Sequence, residues 1–164
     1  MNTMLTRIAI AATFALAAGH ALAADMTPAP APMTPAAKAA PASNLAAARA
    51  LIADSKWTAA VSELERVNDT GNADWNNLMG YTLRKSGAGK WVASEKYYDA
   101  ALKIDPKHLG ALEYSGELYI SMGDLPKAEQ RLAALGQACN MNCPEYKDLK
   151  ASVETFKASG GKKS

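Results

Sequence analysis

Cys139 and Cys143 are the two cysteines of the chain, separated by Asn140-Met141-Asn142. Thiols this close join as a disulfide in an oxidising compartment. Closing so short a loop stabilises a fold by about 2 kcal/mol through loop-closure entropy. A bridge at this point would fix the angle at which the next segment enters, and it is the reading these residues favour. With Met141 the pair also offers three soft sulfur donors of the kind Cu(I) accepts, although no cluster of His or Met stands near them to complete a site. A redox-active pair is the third reading. Thioredoxin-type motifs, however, place two residues between the cysteines and sit in a strand–helix setting that this chain lacks.

Other chemistry is scarce. Beyond His20, which lies in an N-terminal leader, the only histidine is His108, expected as a solvated side chain in a polar turn. One histidine cannot supply a zinc cluster, and no Ser-His-Asp set is built around it. Gly87-Ala88-Gly89-Lys90 lacks the long glycine spacing of a phosphate loop and lies between helical segments instead of after a strand. Glu63 and Glu65 are two apart on a helix and do not face each other. The expectation is a protein that is not an enzyme, with no cofactor and no metal.

Residues 1–23 read as a secretory signal. A weakly basic start to Arg7 precedes an apolar run at Ile8–Ala18, then Ala21-Leu22-Ala23 as a cleavage site. The run is shorter than the roughly 20 residues a membrane span needs. The processed chain is therefore expected to be periplasmic or secreted, of bacterial type, and without a membrane span. Residues 24–43 are rich in Ala and Pro (Pro28, Pro30, Pro32, Pro35, Pro41) and are expected to be an extended, disordered linker. Without Arg7, 17 basic side chains face 16 acidic ones, a formal charge of +1. No clustered basic face points to nucleic acid.

The elements that hold these residues come from a repeat near 34 residues long. The segment 109–142 carries Gly116, Tyr119, Gly123, Asp124, Leu125, Ala128 and Leu132, and the segment 73–108 carries Gly80, Leu83, Gly87, Trp91, Ser94, Tyr98, Ala101, Leu102 and Pro106. Gly80 and Gly116 are 36 positions apart, and Trp91 and Leu125 are 34 apart. Ala88-Gly89 absorbs the two extra residues. A looser first copy holds Ala48, Leu51, Ser55, Trp57, Ala60, Leu64 and Val67. Gly87 and Gly123 should end first helices, Asp124 should cap the next one, and Pro126 then falls in its first turn. Small residues Ala48, Gly80 and Gly116 on first helices, and Ala60, Ser94 and Ala128 on second helices, allow close crossing. Trp57, Trp91 and Leu125 should pack between helices. Tyr146, Leu149, Val153 and Phe156 form one apolar stripe, predicting a terminal helix over 144–158 that covers the last repeat.

These residues resemble the tetratricopeptide-repeat family over Ser43 to about Asn142, at its small-Gly, aromatic, Ala, aromatic, Ala and Pro positions. The resemblance implies an all-α fold: a right-handed α-solenoid of about three helix pairs plus a capping helix. The domain is expected over 44–158, with repeats at about 44–72, 73–108 and 109–142, the cap at 144–158, and a disordered tail at 159–164. The Cys-x-x-x-Cys-Pro-Glu-Tyr ending also resembles that of small exported repeat proteins of proteobacteria.

In this family the ligand-facing positions are the fifth, ninth and twelfth or thirteenth of each repeat. Carried over, they are Leu45, Arg49 and Ile52, then Asn77, Tyr81, Arg84 and Lys85, then Glu113, Glu117 and Ile120. Some members grip a terminal carboxylate with Lys and Asn at the fifth and ninth positions, a pattern these residues do not carry. The resemblance implies a protein-interaction module, expected here as a periplasmic adaptor or assembly scaffold that binds a segment of another protein. A copper-handling accessory protein using Cys139, Met141 and Cys143, and a self-associating structural subunit, are the alternatives. Partner identity and oligomeric state are open.

Overall fold

The computed structural model describes residues 44–161, so the expected signal, the Ala/Pro linker and the last three residues lie outside the described residues. Seven α-helices and no strand occur among the described residues. They are α1 (Ala46–Ala53), α2 (Trp57–Val67), α3 (Ala73–Lys85), α4 (Trp91–Ile104), α5 (Leu109–Met122), α6 (Leu125–Cys139) and α7 (Pro144–Ala158). A single 3-10 turn at Ala88–Lys90 holds the two-residue insertion of the second copy. Each helix packs on the next, while α3 meets α5 and α5 meets α7. The odd-numbered helices thus form one row and the even-numbered helices the other: an α-solenoid of three pairs closed by α7.

Local chemistry sets the helix ends. The Asp124 carboxylate accepts from the Lys127 N–H at 3.2 Å, and Pro126 sits where a missing donor costs nothing. Asn72 caps α3 by accepting from the Trp75 N–H. Gly123 ends α5 at φ 85°, and Asn68 and Asn140 take the left-handed conformation after α2 and α6. Ser159–Gly161, expected in the loose tail, instead close α7, with the Gly161 N–H donating to the Phe156 carbonyl.

All six small crossing residues are buried. At Gly80 the ring of Tyr98 from α4 presses on the helix; a Cβ there would lie 2.7 Å from Cδ1. The Ser94 hydroxyl, where the family pattern has Ala, donates to the Gly80 carbonyl at 2.6 Å. At Gly116 the neighbour is Leu149 of α7, so this glycine receives the cap helix.

Two expectations are corrected and one is refined. Leu45, expected at a ligand-facing position, is 1 % exposed: at the N-cap of α1 its side chain is taken into the core with Ala48, Leu64, Trp75, Leu78 and Met79. Trp57 does pack between helices, edge-on to Tyr81 of α3, but it stays half-buried outside the core clusters. The enclosed tryptophan there is Trp75, whose Nε1–H donates to the Leu64 carbonyl at 2.8 Å. His108 is no solvated turn residue: its Nδ1 accepts from the Ala111 N–H at 3.1 Å and so caps α5.

Gly80→Val should cost about 1–3 kcal/mol by driving branched carbons into the Tyr98 ring. Urea unfolding followed by helical circular dichroism measures the loss. An unchanged midpoint would show that the α3–α4 crossing has slack.

Candidate functional site

The inner row of α3, α5 and α7 presents a polar and aromatic wall. On α3, Asn77, Tyr81 and Arg84 recur at spacings of four and three, which brings them to one face. Tyr81 packs on Tyr114 of α5 with ring centroids 4.8 Å apart, and edge-on to Trp57 of α2 at 6.3 Å. The Arg84 guanidinium lies 5.6 Å from the Tyr81 centroid and 5.9 Å from that of Tyr114. Lys85 Nζ stands 5.9 Å from the Trp57 ring. Cation–π attraction therefore holds both cations against the aromatic row, and the planar guanidinium suits stacking better than an ammonium would.

Opposite Arg84 lie carboxylates. Burial, followed by the charges of Asp148, Glu145 and Glu117, pushes the Glu113 carboxyl up to about 7, and the Arg84 charge only partly offsets this. Tyr114 is also raised, first by burial and then by Glu113. Glu117 accepts a hydrogen bond from the Ser152 hydroxyl of α7, tying cap to wall. At the N-terminal edge, Asp74 is shared between Arg49 of α1 at 3.1 Å and His108 at 3.0 Å. With Nδ1 committed as an acceptor, the neutral His108 ring carries its proton on Nε2 and donates to Asp74.

The tetratricopeptide-repeat family model matches residues 86–153. Those 68 residues, from the end of α3 into α7, carry the tetratricopeptide-repeat signature. No curated protein matches it. Among solved structures it is similar to the Yersinia enterocolitica type III secretion chaperone SycD in complex with a peptide of the translocator YopD. The two are 17% identical with a TM-score of 0.60, covering 71% of this chain and 92% of that one. PcrH in complex with the chaperone binding region of PopD is 16% identical with a TM-score of 0.61, covering 71% and 90%. At such identity the likeness extends to the fold alone.

The structure brings Asn77, Tyr81, Arg84, Glu113 and Glu117 together on the α3–α5 wall. It places Lys85 at its exposed margin against Trp57. Arg49 is engaged with Asp74 at the edge. Ile52 and Ile120 lean on the core clusters below the wall. The family positions did not identify Tyr114, Glu145, Asp148 or Ser152. The last three recur at spacings of three and four beside the apolar stripe of α7, and that polar stripe was their available signal.

Five buried polar atoms lack a hydrogen-bond partner among the described residues, and three of them are on this wall: Asn77 Oδ1, Arg84 Nε and Glu145 Oε2. Tyr98 OH is a fourth; it lies near Arg84 and Ser94 without completing a hydrogen bond to either, and burial raises its pKa far above the usual tyrosine value. Away from the wall, an apolar groove of about 640 Å³ opens between α6 and α7, lined by Leu132, Gly136, Met141 and Tyr146. Beside it the structure pairs the sulfurs of Cys139 and Cys143, with Cα atoms 5.8 Å apart, a separation a disulfide spans. Cys143 is the N-cap residue of α7.

Glu113 makes stability pH-dependent. Its folded pKa is raised above the unfolded value, so the folded state holds more protons between about pH 4.5 and 7. Stability must fall as pH rises through that window, by on the order of 1 kcal/mol after allowance for solvent screening. Glu113→Gln should flatten this part of a melting-temperature profile, and an unchanged slope would place the titration elsewhere.

Proposed function

We propose that this chain is a non-catalytic module that holds an extended segment of another protein against the wall of Asn77, Tyr81, Arg84, Glu113 and Glu117. The observation that carries this reading is the set of unpartnered buried atoms on the inner wall: Asn77 Oδ1, Arg84 Nε and Glu145 Oε2. Buried polar groups are ordinarily satisfied, and an extended backbone brings N–H and C=O groups of both kinds. Tyr81 and Arg84 are the residue types that anchor protein interfaces, and here both are positioned before any partner arrives. The likeness to two chaperones, each solved with a peptide of its partner, supports the same use of the fold.

The setting we propose is the periplasm or the extracellular space, reached through cleavage after Ala23, with the chain acting as an adaptor or assembly scaffold. An oxidising compartment makes Cys139–Cys143 a standing disulfide that fixes the entry of α7 and thereby the positions of Glu145, Asp148 and Ser152.

Two experiments test these readings. Photo-crosslinking residues placed at Tyr81 or Glu113 should capture a partner segment, whereas one at exposed Lys96 on α4 should not. Combined Tyr81→Ala and Arg84→Ala should lower partner affinity roughly tenfold or more with helicity preserved; crosslinks from the outer row alone would sink the reading. For the bridge, protein trapped from the envelope with an alkylating agent should show no free thiol. Cys143→Ser should lose about 2 kcal/mol of stability. Quantitative alkylation of both cysteines without reduction would overturn the oxidised setting.

A further inference from the structure

The inner wall is unbalanced in charge. Glu113 and Glu117 of α5 stand with Glu145 and Asp148 of α7, and the cation facing them is Arg84. Arg84 is already committed to the faces of Tyr81 and Tyr114. Two of the three unpartnered wall atoms are acceptors, Glu145 Oε2 and Asn77 Oδ1. The Asn77 side chain is 7 % exposed, and its amide lies against α5 one turn before Glu113, where a Cβ on Gly110 would be 3.0 Å from Nδ2. The neutral amide oxygen of Asn77 needs a donor of any kind, whereas the carboxylate oxygen of Glu145, with Glu113 and Asp148 nearby, calls for a donor that brings positive charge with it.

Resting on the groove reading above, we propose that the occupant is an extended polypeptide segment bearing a lysine or arginine. Its cationic head seats among Glu113, Glu117, Glu145 and Asp148, while its backbone meets Asn77 and Arg84. An acidic segment would add like charge to four carboxylates. A bare divalent cation fits poorly, because no three carboxylates or other ligands gather at metal-binding spacing among the described residues. A peptide cation on a long stem reaches the acids while the aromatic row takes up its apolar part.

Protons enter the same equilibrium. Burial and the neighbouring Asp148, Glu145 and Glu117 hold Glu113 partly protonated near neutrality, with Arg84 opposing and Tyr114 beside it. A seated cation favours the carboxylate, so binding releases a proton near pH 7. Preference for a basic segment should therefore grow between about pH 6 and about pH 8.

The test is selection of a displayed library of random short peptides on the full-length protein, with Tyr81→Ala as the counter-screen. Peptides whose binding needs Tyr81 should be enriched in Lys or Arg. They should bind roughly tenfold more tightly at the higher pH and lose that preference in combined Glu113→Gln and Glu145→Gln. Tyr81-dependent peptides that are neutral or acidic would overturn the charge assignment and leave the groove reading standing. Absence of any Tyr81-dependent peptide would remove both. Concentration-dependent dimers that Tyr81→Ala abolishes would give the wall to a second copy and also refute the proposal.

Discussion

Two helix backbones can share a core at close range only where no side chain stands between them. In this solenoid that constraint is met at Gly80 and Gly116, and the rest of the architecture is arranged around it. Tyr98 lies flat against Gly80 and fixes how α4 crosses α3, while Leu149 fills the equivalent space above Gly116 and fixes how α7 covers α5. Because α3, α5 and α7 make up the inner wall, the geometry of two glycines determines which side chains can meet there. Ser94 adds a hydrogen bond to the Gly80 carbonyl at the same crossing, so the contact is held by polarity as well as by shape.

The wall built on these crossings gathers an aromatic row, a stacked guanidinium and a bank of acids. Its polar groups are positioned but not all satisfied, which is a costly arrangement for a surface that does nothing. Stability and recognition are set against each other here. The same burial that raises Glu113 also gives any incoming charge a medium of low dielectric in which to be felt. A wall of this kind is prepared in advance by its own packing, and Tyr81 and Tyr114 restrict Arg84 before a ligand is present.

Much of this was legible in the sequence because helix repeats write themselves in small residues. Gly80, Gly116, Ala60 and Ala128 recur in a frame that only stacked pairs require, and Gly123, Asp124 and Pro126 mark a helix junction by conformational necessity. Side-chain direction was less legible. Leu45 and Trp57 occupy positions whose exposure is set by tertiary contacts: Leu45 joins the core with Leu64 and Trp75, whereas Trp57 meets the edge of Tyr81 and the Lys85 ammonium. Trp75 went unnoticed because its burial rests on a carbonyl of α2, a contact no spacing announces. His108 looked like an ordinary turn residue since capping by an imidazole leaves no pattern beyond the residue itself. The acids of α7 join the wall by tertiary packing, and only the polar stripe beside the apolar one hinted at it.

Asp74 deserves a last consequence. Its two oxygens serve Arg49 in the first pair and His108 at the head of the third, so this one carboxylate of α3 ties the second pair to both of its neighbours. Stacked repeats are generally coupled only to their immediate neighbours. In this chain both neighbour contacts at the edge of the second pair converge on Asp74, so fraying of the first helix withdraws Arg49 and leaves Asp74 with His108 alone. One side chain of the second pair thus carries both of its stacking contacts at this edge, and replacing it would loosen two junctions at once.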